Sequence, residues 1–145
     1  RHPESTRPWQ HVLEPLSGYL SLGSKLSSKI NGEAFNFGPK FSKNHTVIDL
    51  LNDLAKDFGI SDVKNAYKIT ENIPFNEAGL LKLNCDKALF KLNWEANLDY
   101  HQTVKIIANW YKEYYKNNSN LFDYTLNQIS EYEKIAITQS LDWTK

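Results

Sequence analysis

The 145-residue chain has no methionine and a single cysteine, Cys85. One thiol cannot close an intramolecular disulfide, which excludes a cysteine-stapled secreted scaffold and fits a reducing cytoplasm. No run of about 18 apolar residues occurs, so no membrane-spanning helix is expected. An excess of charge is missing too, since 17 basic residues balance 17 acidic ones. That balance argues against a nucleic-acid partner, which needs a basic stripe or patch. The opening Arg1-His2-Pro3-Glu4-Ser5 lacks the apolar core of a secretory signal. With arginine first and no initiator, the chain reads as a processed or truncated piece.

Glycine is scarce, and its six copies spell no G-x-G-x-x-G, so no Rossmann phosphate turn is expected. Gly18-x4-Gly23-Ser24-Lys25 resembles a phosphate-binding P-loop, but its lysine and serine stand in the wrong order within a helical pattern. Histidines stand at 2, 11, 45 and 101 without the short paired spacing of metal ligands, and no metal is expected. As a nucleophile Cys85 would need a positioned base. A small buried side chain at a strand-to-helix junction is the simpler reading of it. Asn44 and Asn117 each head an N-x-Ser/Thr triplet, read as chance in an asparagine-rich chain.

What is present describes one globular domain: 41% hydrophobic and 23% charged residues, long enough to bury roughly two thirds of the unfolded surface. Trp9 to Leu13 reads as a short strand, and Pro15 to about Lys29 as a helix with Pro and Glu14 at its start. Gly18 and Gly23 weaken that helix or admit a close neighbour. Glu33 to Pro39 alternates like a strand that ends in a turn. Val47, Leu50, Leu51, Leu54 and Phe58 fall at helical spacing, capped by Thr46 or Asn44 and ended by Gly59. Tyr67–Thr70 and Leu80–Leu83 are strand candidates, and Cys85–Leu92 is a short helix. Asp99-x-x-Gln102 and Thr125-x-x-Gln128 both look like capping boxes before long helices. The Trp110, Tyr111, Tyr114 and Tyr115 cluster reads as core with a wet rim rather than a base-stacking platform. The expected class is α+β, small and helix-rich, with a few short strands.

Arg7, stiffened between a threonine and Pro8-Trp9, suits bidentate contact with phosphate oxygens, or else stacks on Trp9 as a surface residue. Thr6-Arg7-Pro8-Trp9-Gln10-His11-Val12-Leu13-Glu14-Pro15-Leu16-Ser17-Gly18-Tyr19 is the most distinctive stretch. Together with Phe35-Asn36-Phe37-Gly38-Pro39, the run Glu77 to Ala88, Leu92-x-Trp94 and Trp110-Tyr111, it resembles the C-terminal part of the CDP-glucose 4,6-dehydratase family. That family lies within the extended short-chain dehydrogenase/reductases, the NAD-dependent sugar-nucleotide epimerases and dehydratases. The resemblance implies residues 1–145 as a C-terminal substrate-binding region, with NAD held by a Rossmann domain outside this chain. It also implies a CDP-sugar as ligand, that Rossmann domain as partner, and no cofactor on this chain alone.

Arg7 is implied as a diphosphate contact and Asn36 as a donor to phosphate or ribose. Trp9 and His11 are implied along the same wall, with Asn76 and Glu77 as weaker candidates. Asn76 stands where the family has histidine, Asn84 where it has aspartate, and Asp86 where it has serine. No tyrosine here has a lysine four positions on, so the Tyr-x-x-x-Lys pair of these enzymes is not in this sequence. The chain alone is therefore expected to be inactive. A related epimerase or dehydratase acting on another nucleotide sugar, and a non-catalytic binding module, are the alternatives.

Overall fold

Thr46 opens the clearest helix. In a computed structural model that describes residues 2–40, 44–70, 78–116 and 120–145, its hydroxyl accepts from the Asp49 amide at 3.1 Å, and the Asp49 carboxylate accepts from the Thr46 amide at 2.9 Å. This reciprocal box satisfies two donors that a helix start otherwise leaves open. The helix, α2 (Val47–Phe58), ends at Gly59 with φ 81°, a left-handed cap that suits glycine. The expected Asp99–Gln102 box is present in the same form and starts α4 (Tyr100–Tyr115). Before α2 lies α1 (Leu13–Ser24), and between α2 and α4 lies α3 (Asp86–Leu92), stopped by Asn93 at φ 48°. The last long helix is α5 (Leu121–Thr138), followed by a short 3-10 turn at Asp142–Thr144.

The Thr125-x-x-Gln128 pattern is not a cap. Both residues lie inside α5 and face α4, where Trp110 donates its indole N–H to Thr125 at 2.9 Å and Gln128 donates to the Ile106 carbonyl at 2.9 Å. Thr125 meanwhile donates to the Leu121 carbonyl one turn back. With Gln139 reaching the Asn97 carbonyl at 2.9 Å, these pairings run α4 and α5 antiparallel. α4 also packs along α2, and the Tyr100 hydroxyl donates to Asp53 at 3.1 Å.

Strands are nearly absent from the described residues. Among the described residues the ladder contacts are isolated bridges of Thr6, antiparallel with Thr46 and parallel with Leu80. The run expected as a strand at Trp9–Leu13 is instead a loop that turns into α1. The Glu33–Pro39 segment forms no strand, and other side chains serve its backbone: Gln10 donates to the Phe37 carbonyl at 3.0 Å and Lys87 to the Ala34 carbonyl at 2.9 Å. Alternation there reflects one side packing on the core, which a strand partner is not needed to produce. Tyr67–Thr70 forms no strand, and of Leu80–Leu83 only Leu80 makes a bridge.

The core gathers Phe37, Ala88, Leu92, Trp94 and Ala96, with Leu22, Ile30, Phe35 and Trp143 against it. Trp94, 1% exposed, meets Phe37 edge-on with ring centres 4.9 Å apart and donates its N–H to Ser17 at 3.0 Å.

α1 is built inside out. Its buried residues are Glu14, Ser17, Gly18 and Ser21, while Leu16, Tyr19 and Leu20 are exposed, Leu20 at 76%. An amphipathic helix ordinarily turns its apolar stripe inward. The helix stops at Ser24, five residues before Lys29, and starts two residues earlier than Pro15 because His11 opens it: the His11 Nδ1 accepts from the Leu13 amide at 3.2 Å and its carbonyl from the Glu14 amide at 3.0 Å.

Candidate functional site

A cleft of about 770 Å³ opens between the N-terminal segment, Gly38, Pro39 and Lys40, the Asn44-His45 pair, and the two segments flanking α3. Its volume is in the range of sites that enclose small molecules. Thr6 fixes one corner. Its amide donates to the Gly79 carbonyl at 2.8 Å, and the Val47 amide donates to the Ser5 carbonyl at 2.9 Å, so three segments meet beside Arg7. Arg7 lines the cleft, with Nη1 donating to the carbonyls of Thr6 at 2.7 Å and Ala78 at 2.9 Å. Trp9 lines it as well, and its indole N–H donates to the His45 carbonyl at 2.9 Å. These two expected residues are brought together.

The other candidates stand elsewhere. His11 is not among the lining residues and serves the start of α1. Asn36, exposed, donates to the Asn84 carbonyl at 3.1 Å, and it is Asn84 that faces the cleft. Asn76 and Glu77 lie outside the described residues.

The opposite wall was not foreseen from sequence. Trp94, Glu95, Ala96, Leu98, Asp99 and Tyr100 supply it, and His45 stacks on Tyr100 with ring centres 3.5 Å apart and planes 4° off parallel. Burial, reinforced by Asp53, pushes the Tyr100 phenol far above its ordinary value, so it stays protonated. Lys40 on this side donates to Gln139 at 2.6 Å and lies 3.9 Å from Glu95.

Cys85 also faces the cleft, where burial raises its thiol pKa and the Asp86 charge adds to the effect against the Gly38 amide. A thiol held up in this way is a poor nucleophile near neutral pH. Among the described residues no three His, Cys, Asp or Glu side chains come together as metal ligands. No described helix is long and apolar enough to cross a membrane. None of the glycines sits at a strand–turn–helix cradle where a dinucleotide pyrophosphate could approach; Gly18 abuts Phe37, and Gly38 abuts Cys85 and Leu83. The residues described here do not fit NAD, and no step through NAD is assigned to them.

Burial lowers the pKa of His11 from its ordinary 6.5. A depressed native value means that stability is present above 6.5 and is lost as pH falls through the native value, because the buried ring must take a charge. His11→Asn keeps a side-chain acceptor for the Leu13 amide without titrating. Thermal melts from pH 7 to pH 5 should show a smaller loss of stability in the variant. Parallel losses would remove His11 from this role.

No protein-family model matches the chain. Across 135 residues it is 36% identical to the CDP-glucose 4,6-dehydratase of Salmonella typhimurium (strain LT2), which covers 91% of this chain and 36% of that enzyme. The chain is related to the sugar-nucleotide 4,6-dehydratases. A second relative supports this: over 82 residues, 57% of this chain and 12% of the other, the identity is 30% to an Arabidopsis thaliana protein. That protein is a trifunctional UDP-glucose 4,6-dehydratase, UDP-4-keto-6-deoxy-D-glucose 3,5-epimerase and UDP-4-keto-L-rhamnose reductase. The dehydratase-related chain thus spans little more than a third of the first relative's length and about an eighth of the second's.

Proposed function

We propose that residues 1–145 form the substrate-binding region of a cytoplasmic, NAD-dependent sugar-nucleotide dehydratase. In the whole enzyme the reaction would convert CDP-glucose to CDP-4-keto-6-deoxyglucose and water. The observation that carries this reading is that Arg7 and Trp9, from the stretch most like these enzymes, stand together on the wall of a cleft of ligand size. A guanidinium offers five donors in a planar fork suited to diphosphate oxygens, and an indole face can cover a base or sugar. NAD and the chemical step belong to polypeptide outside this chain, whose own contribution is grip on the nucleotide sugar.

Titration of the 145-residue chain with CDP, UDP, dTDP and GDP tests it. Binding of CDP ahead of the others is expected. Arg7→Ala should weaken every diphosphate by about tenfold or more, the scale of a charge-assisted hydrogen bond. UDP ahead of CDP would move the reading toward the UDP-sugar dehydratase activity of the Arabidopsis relative. A folded chain that binds none of the four would end it, and turnover of CDP-glucose by this chain with NAD would end the division of labour.

The outward face of α1 supports a packed neighbour in the whole enzyme. From Val12 to Ser24 the sole charge is Glu14, which is buried, and Val12, Leu16, Tyr19 and Leu20 leave an uncharged apolar surface in water. The isolated chain should therefore bind a hydrophobic dye. Leu16→Glu combined with Leu20→Glu should abolish most of that fluorescence while helical circular dichroism persists. Unchanged fluorescence would place the apolar patch elsewhere.

A further inference from the structure

The buried side of α1 carries a second device. Glu14 is 1% exposed, yet it is a carboxylate: Oε1 accepts from the Leu98 amide at 2.7 Å, and Oε2 from the Asn97 amide at 2.8 Å and the Tyr132 hydroxyl at 3.0 Å. The backbone between α3 and α4 follows no regular hydrogen-bonding pattern, so its buried amides must find partners one by one. Two consecutive amides find the same carboxylate. That segment also supplies Trp94, Glu95, Ala96, Leu98 and Asp99 to the cleft wall. Ser17, one turn further along α1, holds the Trp94 indole at 3.0 Å, and the Asn97 amide side chain donates to the Tyr132 carbonyl at 2.7 Å.

A space-filling residue at position 14 would serve the core better as leucine, because burying a carboxylate costs more than burying a hydrocarbon of its size. What leucine or glutamine cannot do is give each of the two adjacent amides an oxygen of its own. Glutamine would turn an NH₂ toward one of the two N–H groups. We propose that Glu14 is the positioning residue of the cleft: through Asn97 and Leu98 it sets the backbone from which Leu98, Asp99 and Tyr100 face the ligand. This rests on the reading of the cleft as a nucleoside diphosphate site. Glu14 acts without touching that ligand. It is a geometric latch from α1 to the opposite wall.

Glu14→Gln in the ¹⁵N-labelled 145-residue chain tests it, read by amide exchange and by titration with CDP. The Ala136 amide in α5 should remain protected, showing that the fold persists. Exchange at Asn97 and Leu98 should quicken by roughly 100-fold, and CDP affinity should fall about tenfold, the scale on which misplaced binding groups lose function. Val104→Ala, a truncation of a buried side chain in α4 away from the cleft lining, controls for stability alone and should leave CDP affinity unchanged.

Wild-type affinity in Glu14→Gln despite faster exchange would overturn the proposal, as would unchanged exchange at both amides. Loss of affinity in Val104→Ala as large as in Glu14→Gln would also overturn it. If the variant fails to fold, Tyr132→Phe removes one of the three donors and should give the same pattern at about threefold; no change in either readout then overturns the latch. If the wild-type chain binds none of the four nucleotides, the proposed function falls. The latch then stands or falls on the exchange of Asn97 and Leu98.

Discussion

Trp94→Ala is expected to bring the chain to the edge of unfolding. The indole is 1% exposed, contacts Phe37 edge-on, and belongs to the central cluster with Ala88, Leu92 and Ala96. Removing a buried tryptophan costs about 3–5 kcal/mol, from lost transfer energy and the cavity left behind. Small domains hold only about 5–15 kcal/mol in total. At about 2–4 °C per kcal/mol for a chain of this size, the melting temperature should fall on the order of 10 °C or more. Trp94→Phe separates the contributions: it keeps much of the ring packing and removes the donor to Ser17, so its loss should be well under half of the alanine effect. Trp94 also lines the cleft, hence nucleotide binding should weaken in both variants. A melting temperature within a degree or two of wild type for Trp94→Ala would mean that this cluster is not the core.

The features legible in the sequence are those whose cause is local. Thr46–Asp49 and Asp99–Gln102 bond only within their own first turn, and Gly59 ends α2 through its own backbone, so residue identity at fixed spacing was enough to place them. Thr125–Gln128 carries the same letters, but its bonds run to α4, and a spacing rule cannot distinguish a cap from a stitch between two helices. The strands expected at Trp9–Leu13 and Glu33–Pro39 failed for a related reason: alternation reports which side is covered, not whether a neighbouring strand exists.

The cleft was half legible. Arg7 and Trp9 lie in the most distinctive motif, and both reach it. Between Trp94 and Asp99, residues Glu95 to Leu98 had no signal of their own, since this is an irregular stretch whose shape comes from Glu14, some eighty residues earlier in the chain. Glu14 looked like a favourable charge at a helix start, which is where surface glutamates commonly stand. Its burial becomes visible only once α1 is seen to point Ser17, Gly18 and Ser21 inward beside it.

Gly18 and Gly23 turn that orientation into a test of sign. Alanine is the better helix former by about 1 kcal/mol at an interior helical position, so propensity alone favours both Gly18→Ala and Gly23→Ala. Space decides differently. A Cβ on Gly18 would stand against Cδ1, Cγ and Cε1 of Phe37, closer than any side-chain contact allows, whereas a Cβ on Gly23 would meet nothing within 4 Å. The Phe37 ring has little room to yield, being held edge-on by Trp94 at 4.9 Å and Tyr19 at 5.7 Å and stacked on Phe35 at 6.5 Å. Overpacking of this kind costs about 1–3 kcal/mol, and more for a branched side chain.

Gly23→Ala should therefore raise the melting temperature by a few degrees, and Gly18→Ala should lower it despite the same chemistry in the same helix. Gly18→Val should lower it further, with a stability cost of about 3 kcal/mol or more, and should disturb Phe37 and through it Trp94, visible as a change in tryptophan fluorescence. Stabilisation by both alanines would mean that α1 does not lie against Phe37. The inside-out orientation would then fall, and with it the placement of Glu14 behind the cleft wall.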